Sequence, residues 1–177
     1  MPKNQITVDT PIGSLLFNII AAEGSIDDVH FSDCEIKPNI PKGMTVDGCR
    51  AVLLRCTSIT PLKDIIYSCS WKDLKEVGYG NSGEGLEAWE WKHHKTLVMV
   101  GTEDDEFLES RLRLKKSSSN DYSITMNDNA IKIHISEFPA NKELSLHFVI
   151  SWNSLPEKVD SSCWFALDIP HKKILQE

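Results

Sequence analysis

Apolar and polar residues alternate with a period of two over most of the chain, the spacing of strands that bury one face. Ile6 and Val8, followed by residues 12–20, predict an opening hairpin with Thr10-Pro11 near its turn and Gly13 at a bulge. Residues 29–36 predict an edge strand that stops at Lys37-Pro38, because proline has no N–H to give a ladder. The Pro- and Gly-punctuated stretch up to Gly48 reads as a long connection. From Cys49 to Thr57 the pattern changes. Ala51-Val52-Leu53-Leu54 is continuous apolar sequence, as in a strand covered on both faces. Residues 64–70 form another short strand. The run from Gly78 to Gly85 holds four glycines and reads as a loop, followed by strands at 86–91 and 96–100 joined around Lys92-His93-His94-Lys95.

Thr102 next predicts a helix N-cap, with Glu103, Asp104, Asp105 and Glu106 in the first turn and Arg111 and Arg113 near the end. Residues 115–120 read as a polar surface turn. Strands at 122–126 and 131–135 are joined by Asn127-Asp128-Asn129, a turn sequence that tolerates positive φ. Two more strands are expected at 144–152 and 163–169. No repeat and no linker divides the chain. The expected fold is therefore mostly β (α+β): a single domain over residues 1–177, with a largely antiparallel, curved or half-barrel sheet and one or two short helices.

At 177 residues the chain is long enough to bury a core without staples. Its apolar runs fall short of the ~18 residues of a membrane span, and the stretch Leu15 to Ala22 is broken by Asn18 and lacks the basic flank of a secretory signal. The five cysteines, Cys34, Cys49, Cys56, Cys69 and Cys163, include no C-x-x-C pair and read as reduced, mostly buried thiols. A cytoplasmic location with no membrane partner is the expectation. The formal net charge of -7 sets the chain against direct binding of nucleic acid or anionic lipid. That charge is uneven, since residues 71–110 carry ten carboxylates against four basic side chains.

Catalytic motifs are absent from the sequence. It has no G-x-S-x-G and no H-E-x-x-H. Gly78-x-Gly80-x-x-Gly83 spells a dinucleotide fingerprint without its strand-to-helix setting, and Glu84 and Glu87 beside it would repel a pyrophosphate. His93 and His94 are adjacent and read as a plain hairpin turn. His134 and His147, on consecutive predicted strands, would need a third group such as Asp168 to make a catalytic or zinc set. Neither a cofactor nor a metal is expected. Trp89 and Trp91 lie two apart, on one strand face with Glu87 and opposite Glu90. They read either as a buried aromatic pair, as anchors of an interaction patch, or as a stacking platform for a sugar. The acidic run 103–106 has a structural reading too, because a helix N-terminus favours carboxylates.

The stretches Leu146-His147-Phe148-Val149-Ile150-Ser151-Trp152-Asn153 and Cys163-Trp164-Phe165-Ala166-Leu167-Asp168 resemble the immunity proteins of bacterial contact-dependent growth inhibition systems. The resemblance implies a small cytosolic inhibitor, without enzymatic activity, that neutralises one cognate toxin in a tight one-to-one complex. Physical chemistry adds that an inhibitor of a basic nuclease domain needs concentrated negative charge, which also speeds capture. The surface expected to meet the partner comprises Tyr79, Glu84, Glu87, Trp89, Glu90, Trp91, Glu103, Asp104, Asp105 and Glu106. The competing expectation is a small-molecule or carbohydrate-binding β-barrel.

Overall fold

In the computed structural model, which describes residues 4–114, 123–127 and 129–176, eleven strands form two antiparallel sheets that are not closed into a barrel. The five-stranded sheet contains β1 (Gln5–Thr10), β2 (Gly13–Glu23), β5 (Leu62–Trp71), β9 (Ile124–Asn127) and β10 (Ala130–Phe138), in the order β1-β2-β5-β10-β9. The six-stranded sheet contains β3 (Asp27–Glu35), β4 (Gly48–Thr57), β6 (Tyr79–Gly83), β7 (Leu86–His93), β8 (Thr96–Glu103) and β11 (Leu144–Ser154), in the order β3-β4-β11-β8-β7-β6. The opening hairpin, the edge strand β3 and the continuous apolar strand β4 stand where the alternation places them. The turn expected at 115–120 lies outside the described residues, as do Tyr122 and Asp128 of the β9–β10 hairpin.

Alternation along the strands builds the core between the sheets. Phe17 on β2 and Tyr67 on β5 meet Phe148 on β11, with ring centroids 5.9 and 4.9 Å from it. Ile131, Ile133 and Ile135 of β10 face Val52 and Leu54 of β4 and Val98 and Val100 of β8 across the same layer. The central strands of the six-stranded sheet are buried on the other face as well. Two short helices, α2 (Ser162–Leu167) and α3 (His171–Ile174), pack Cys163, Ala166, Leu167 and Ile174 against Ala51, Leu53, Val149 and Met99. A third helix, α1 (Asp105–Leu112), follows β8 and closes one end of the sandwich with fully buried Leu108. No helix among the described residues is long and apolar enough to cross a membrane.

Three expectations are corrected. Residues 163–169 are not a strand: the buried positions Cys163, Ala166 and Leu167 have the i, i+3, i+4 spacing of a helix face. A short apolar run fits either period, so only the sheet it covers decides between them. The second of the two stretches that resemble immunity proteins therefore lies on a helix. Thr102 is not the N-cap either. It is buried in β8 and its hydroxyl donates to the His147 carbonyl at 2.9 Å, while Asp104 caps α1 by accepting from the Phe107 N–H at 2.9 Å. The glycine run, finally, is a strand and a turn rather than a loop. β6 occupies 79–83, and Glu84 and Gly85, with φ of 53° and 83°, make the positive-φ turn into β7.

The glycines of that run have a packing cause. Opposite β6, the Trp89 indole lies over the bare backbone of Gly78 and Gly80; a Cβ at Gly78 would stand 1.6 Å from the Trp89 Nε1. Trp91 packs beneath it, its ring centroid 5.4 Å from Trp71 in an edge-on contact. Gly78→Ala is expected to destabilise the fold by about 1–3 kcal/mol through overpacking, with a red-shifted tryptophan emission. Urea unfolding followed by fluorescence checks it, and an unchanged midpoint would mean that the indole is not seated there.

Candidate functional site

The alternation of β11 generates the site. Leu146, Phe148 and Ile150 point into the core between the sheets, which leaves Ser145, His147, Val149, Ser151 and Asn153 on the opposite face. All five are buried under the C-terminal helices and neighbouring loops, although four are polar. Buried polar groups need partners, and each of these has one. The Ser151 hydroxyl donates to the Cys163 carbonyl at 2.8 Å. The Asn153 amide donates to the Thr45 carbonyl and to Glu157 Oε1, both at 2.9 Å, and accepts from the Asp47 N–H at 2.8 Å. Ser145 and His147 meet His171 at the start of α3: Ser145 Oγ lies 2.8 Å from His171 Nε2, and the two imidazole Nδ1 atoms lie 2.8 Å apart.

Two more elements complete the cluster. The β11–β8 ladder pairs Val149 with Gly101, so continuing that register by two residues sets Glu103 beside His147. From α1, Arg111 grips Glu103, its Nε donating to the two carboxylate oxygens at 2.8 and 3.1 Å and its Nη2 to Oε1. The remaining Arg111 Nη1 donates to the Ser145 carbonyl at 2.8 Å. One ligand atom from each of Glu103, His147 and His171 lies within 4.8 Å of the others, the donor set that a transition metal would use.

Burial, and then the charge of Arg111, push His171 down to about 4. His147, buried further and facing both His171 and Arg111, is held well below the usual histidine range. Both rings are therefore neutral at pH 7, each with one donor and one acceptor nitrogen. A cleft of about 410 Å³ opens onto them, walled by Leu86, Phe107, Ile169 and Pro170. Chemically the cluster can accept a proton, hold a hydrogen-bonding ligand or coordinate a cation, with Arg111 neutralising the one charged oxygen donor.

The expected partner surface is dispersed by the fold. Trp91 is fully buried and Trp89 half-buried, its Nε1 closed off from solvent, so both take the buried-pair reading and offer no stacking platform. Glu103 is held by Arg111, Asp104 caps α1, and Asp105 accepts the Ile124 N–H at 2.9 Å. Burial pushes Asp105 up from its usual value, against the pull of that hydrogen bond. Glu87 accepts from the Ser82 hydroxyl, and Glu90, on the opposite face, is tied to Asn81 and Lys92. Tyr79, Glu84 and Glu106 are exposed.

The histidine set is split as well. His134 and His147 lie on different sheets, His134 next to Asp64 at 3.3 Å, whereas His147 and Asp168 both border the cleft. His93 and His94 sit at the β7–β8 turn as expected, ring against ring at 3.9 Å. Sequence reasoning missed His171, Ser145 and Arg111 as a group. They come from three separate segments, and the one available signal was His147 on an alternating strand. No family model, curated protein or solved structure matches this chain.

The pH dependence of stability follows from the imidazole pair. In the unfolded chain both rings take protons near pH 6.5, whereas in the fold His171 resists down to about 4. The unfolded state thus binds more protons in that window, and stability is full above 6.5 and falls as pH drops toward 4. The loss assigned to His171 is of the order of 3 kcal/mol. Urea midpoints in metal-free buffer should show this slope in the wild type and a shallower one in His171→Gln; equal slopes would remove the pair as its source.

Proposed function

We propose that this protein is a non-catalytic binding protein of the cytoplasm, an immunity protein that neutralises a cognate toxin by capturing a basic domain. The observation that carries the reading is an exposed corner where aromatic and acidic side chains meet an open sheet edge. Phe107 is 62% exposed and its ring lies against Gly85; Glu84 is in the turn beside it and Glu106 precedes it on α1. Neither carboxylate has a hydrogen bond or ion pair among the described residues, so both are open to a partner. Edge strand β6, with Tyr79 66% exposed, leaves one row of backbone groups available to an added strand. Aromatic anchors within a charged surround are the composition of interface hot spots.

This reading narrows the surface expected from the sequence to Tyr79, Glu84 and Glu106 and adds Phe107, which the sequence reading did not include, with the other carboxylates serving the fold. A second reading, small-molecule binding, draws support from the cleft above His147 and His171 instead of from the tryptophans.

Co-expression with the protein encoded beside it should give a one-to-one complex. Association of the Glu84→Lys/Glu106→Lys double variant with that partner should be slower by about tenfold or more at low salt and converge on wild type at high salt. Circular dichroism should be unchanged, because both side chains are exposed. A wild-type chain that elutes alone, or a double variant with unaltered association, would overturn the reading.

A further inference from the structure

We propose that Glu103, His147 and His171 form a binding site for a divalent transition metal of the zinc or cobalt type, open to solvent through the cleft between α1 and α3. The argument is independent of the toxin-binding reading. Two imidazoles and one carboxylate are the ligand set of many three-residue sites that keep a fourth position for water or substrate. Here the three come from a strand end, a central strand and a helix start, all fixed by the packing described above, and their ligand atoms already lie within 4.8 Å of one another.

The geometry asks for little movement. Nitrogen ligands about 2.0–2.1 Å from a tetrahedral ion stand roughly 3.3 Å apart. The two Nδ1 atoms are 2.8 Å apart, so the rings need to separate by about 0.5 Å. At present a single proton lies between them, one ring donating to the other. On metal binding that proton moves to the outer Nε2 of whichever ring lacks one, which frees both Nδ1 lone pairs without a net loss of protons. Both rings then carry an Nε2–H, and Ser145 Oγ, 2.8 Å from His171 Nε2, is placed to accept the His171 N–H and hold that ring in register, the role outer hydroxyls and carbonyls play around metal-bound histidines.

Arg111 is the opposing charge. It compensates Glu103 in the metal-free protein, and its bidentate grip must yield one oxygen to the ion. The carboxylate has the lone pairs to do both, as a bridge between guanidinium and metal. His147 and His171 both line the 410 Å³ cleft, so an ion has a route in and the fourth position faces that space.

The test uses Co²⁺ and Zn²⁺ alone as probes of the full chain. Titration with Co²⁺ should saturate at one ion per chain with the visible d–d bands of a low-coordinate site, and Zn²⁺ should displace it and raise the melting temperature. His171→Gln and Glu103→Gln should each weaken binding by about 100-fold or more. His93→Ala/His94→Ala, which removes the histidine pair at the β7–β8 turn, should leave it unchanged. A wild-type chain that shows no saturable binding would overturn the proposal, whatever the variants do. Binding that survives His171→Gln but is lost with the His93/His94 variant would place the ion on the surface turn and overturn it equally.

Discussion

The structure depends on a strand that is buried on both faces yet polar on one. β11 gives Leu146, Phe148 and Ile150 to the core between the sheets and turns Ser145, His147, Ser151 and Asn153 toward the C-terminal layer. A buried polar group left without a partner costs about 1–3 kcal/mol, so four of them in one row strongly restrict what can cover this face. Helices α2 and α3 and the loops at 45–47 and 157 meet every one. An apolar row would have accepted those helices in many registers. The polar row accepts few, and it thereby brings His171 to His147 and Ser145.

The same logic explains why the acidic segment is less of a surface than its composition suggests. Residues 71–110 contain ten carboxylates, but Glu103 compensates Arg111 at the edge of the cluster, Asp104 starts α1, and Asp105 ties that helix to β9 of the other sheet. The run at 103–106 is thus a junction between the two sheets, and Glu106 alone of the four is exposed. Trp89 and Trp91 belong to the fold for a related reason. Two bare glycines, Gly78 just before β6 and Gly80 on it, leave the space that the Trp89 ring fills.

Much of the architecture was legible in the sequence because period-two alternation is a local property. The opening hairpin, β3 with its proline stop, the doubly covered β4 and the β7–β8 hairpin could each be read from a handful of neighbouring residues. The failures share a physical cause. Residues 163–167 are apolar at nearly every position, so their period is set by the face they cover and not by their own pattern. Thr102 has the chemistry of a cap, but a carbonyl on β11 claims its hydroxyl first. The glycine run reads as a loop because its cause, the Trp89 indole across the β6–β7 hairpin, is a contact that the glycines' own spacing does not record. The site was legible only at His147, since His171, Ser145, Glu103 and Arg111 converge through sheet order and helix docking, which no linear spacing records.

The central claim is that docking of the C-terminal layer dries an imidazole pair and joins it by a single hydrogen bond. Long-range ¹H–¹⁵N NMR of the histidine rings in metal-free buffer tests it directly. The account predicts that His147 and His171 stay neutral from about pH 8 to about pH 6, with an Nδ1–H on one ring and an unprotonated Nδ1 on the other. Either ring titrating near 6.5 with a freely exchanging tautomer would contradict it, because the layer that fixes the site would then be open to water.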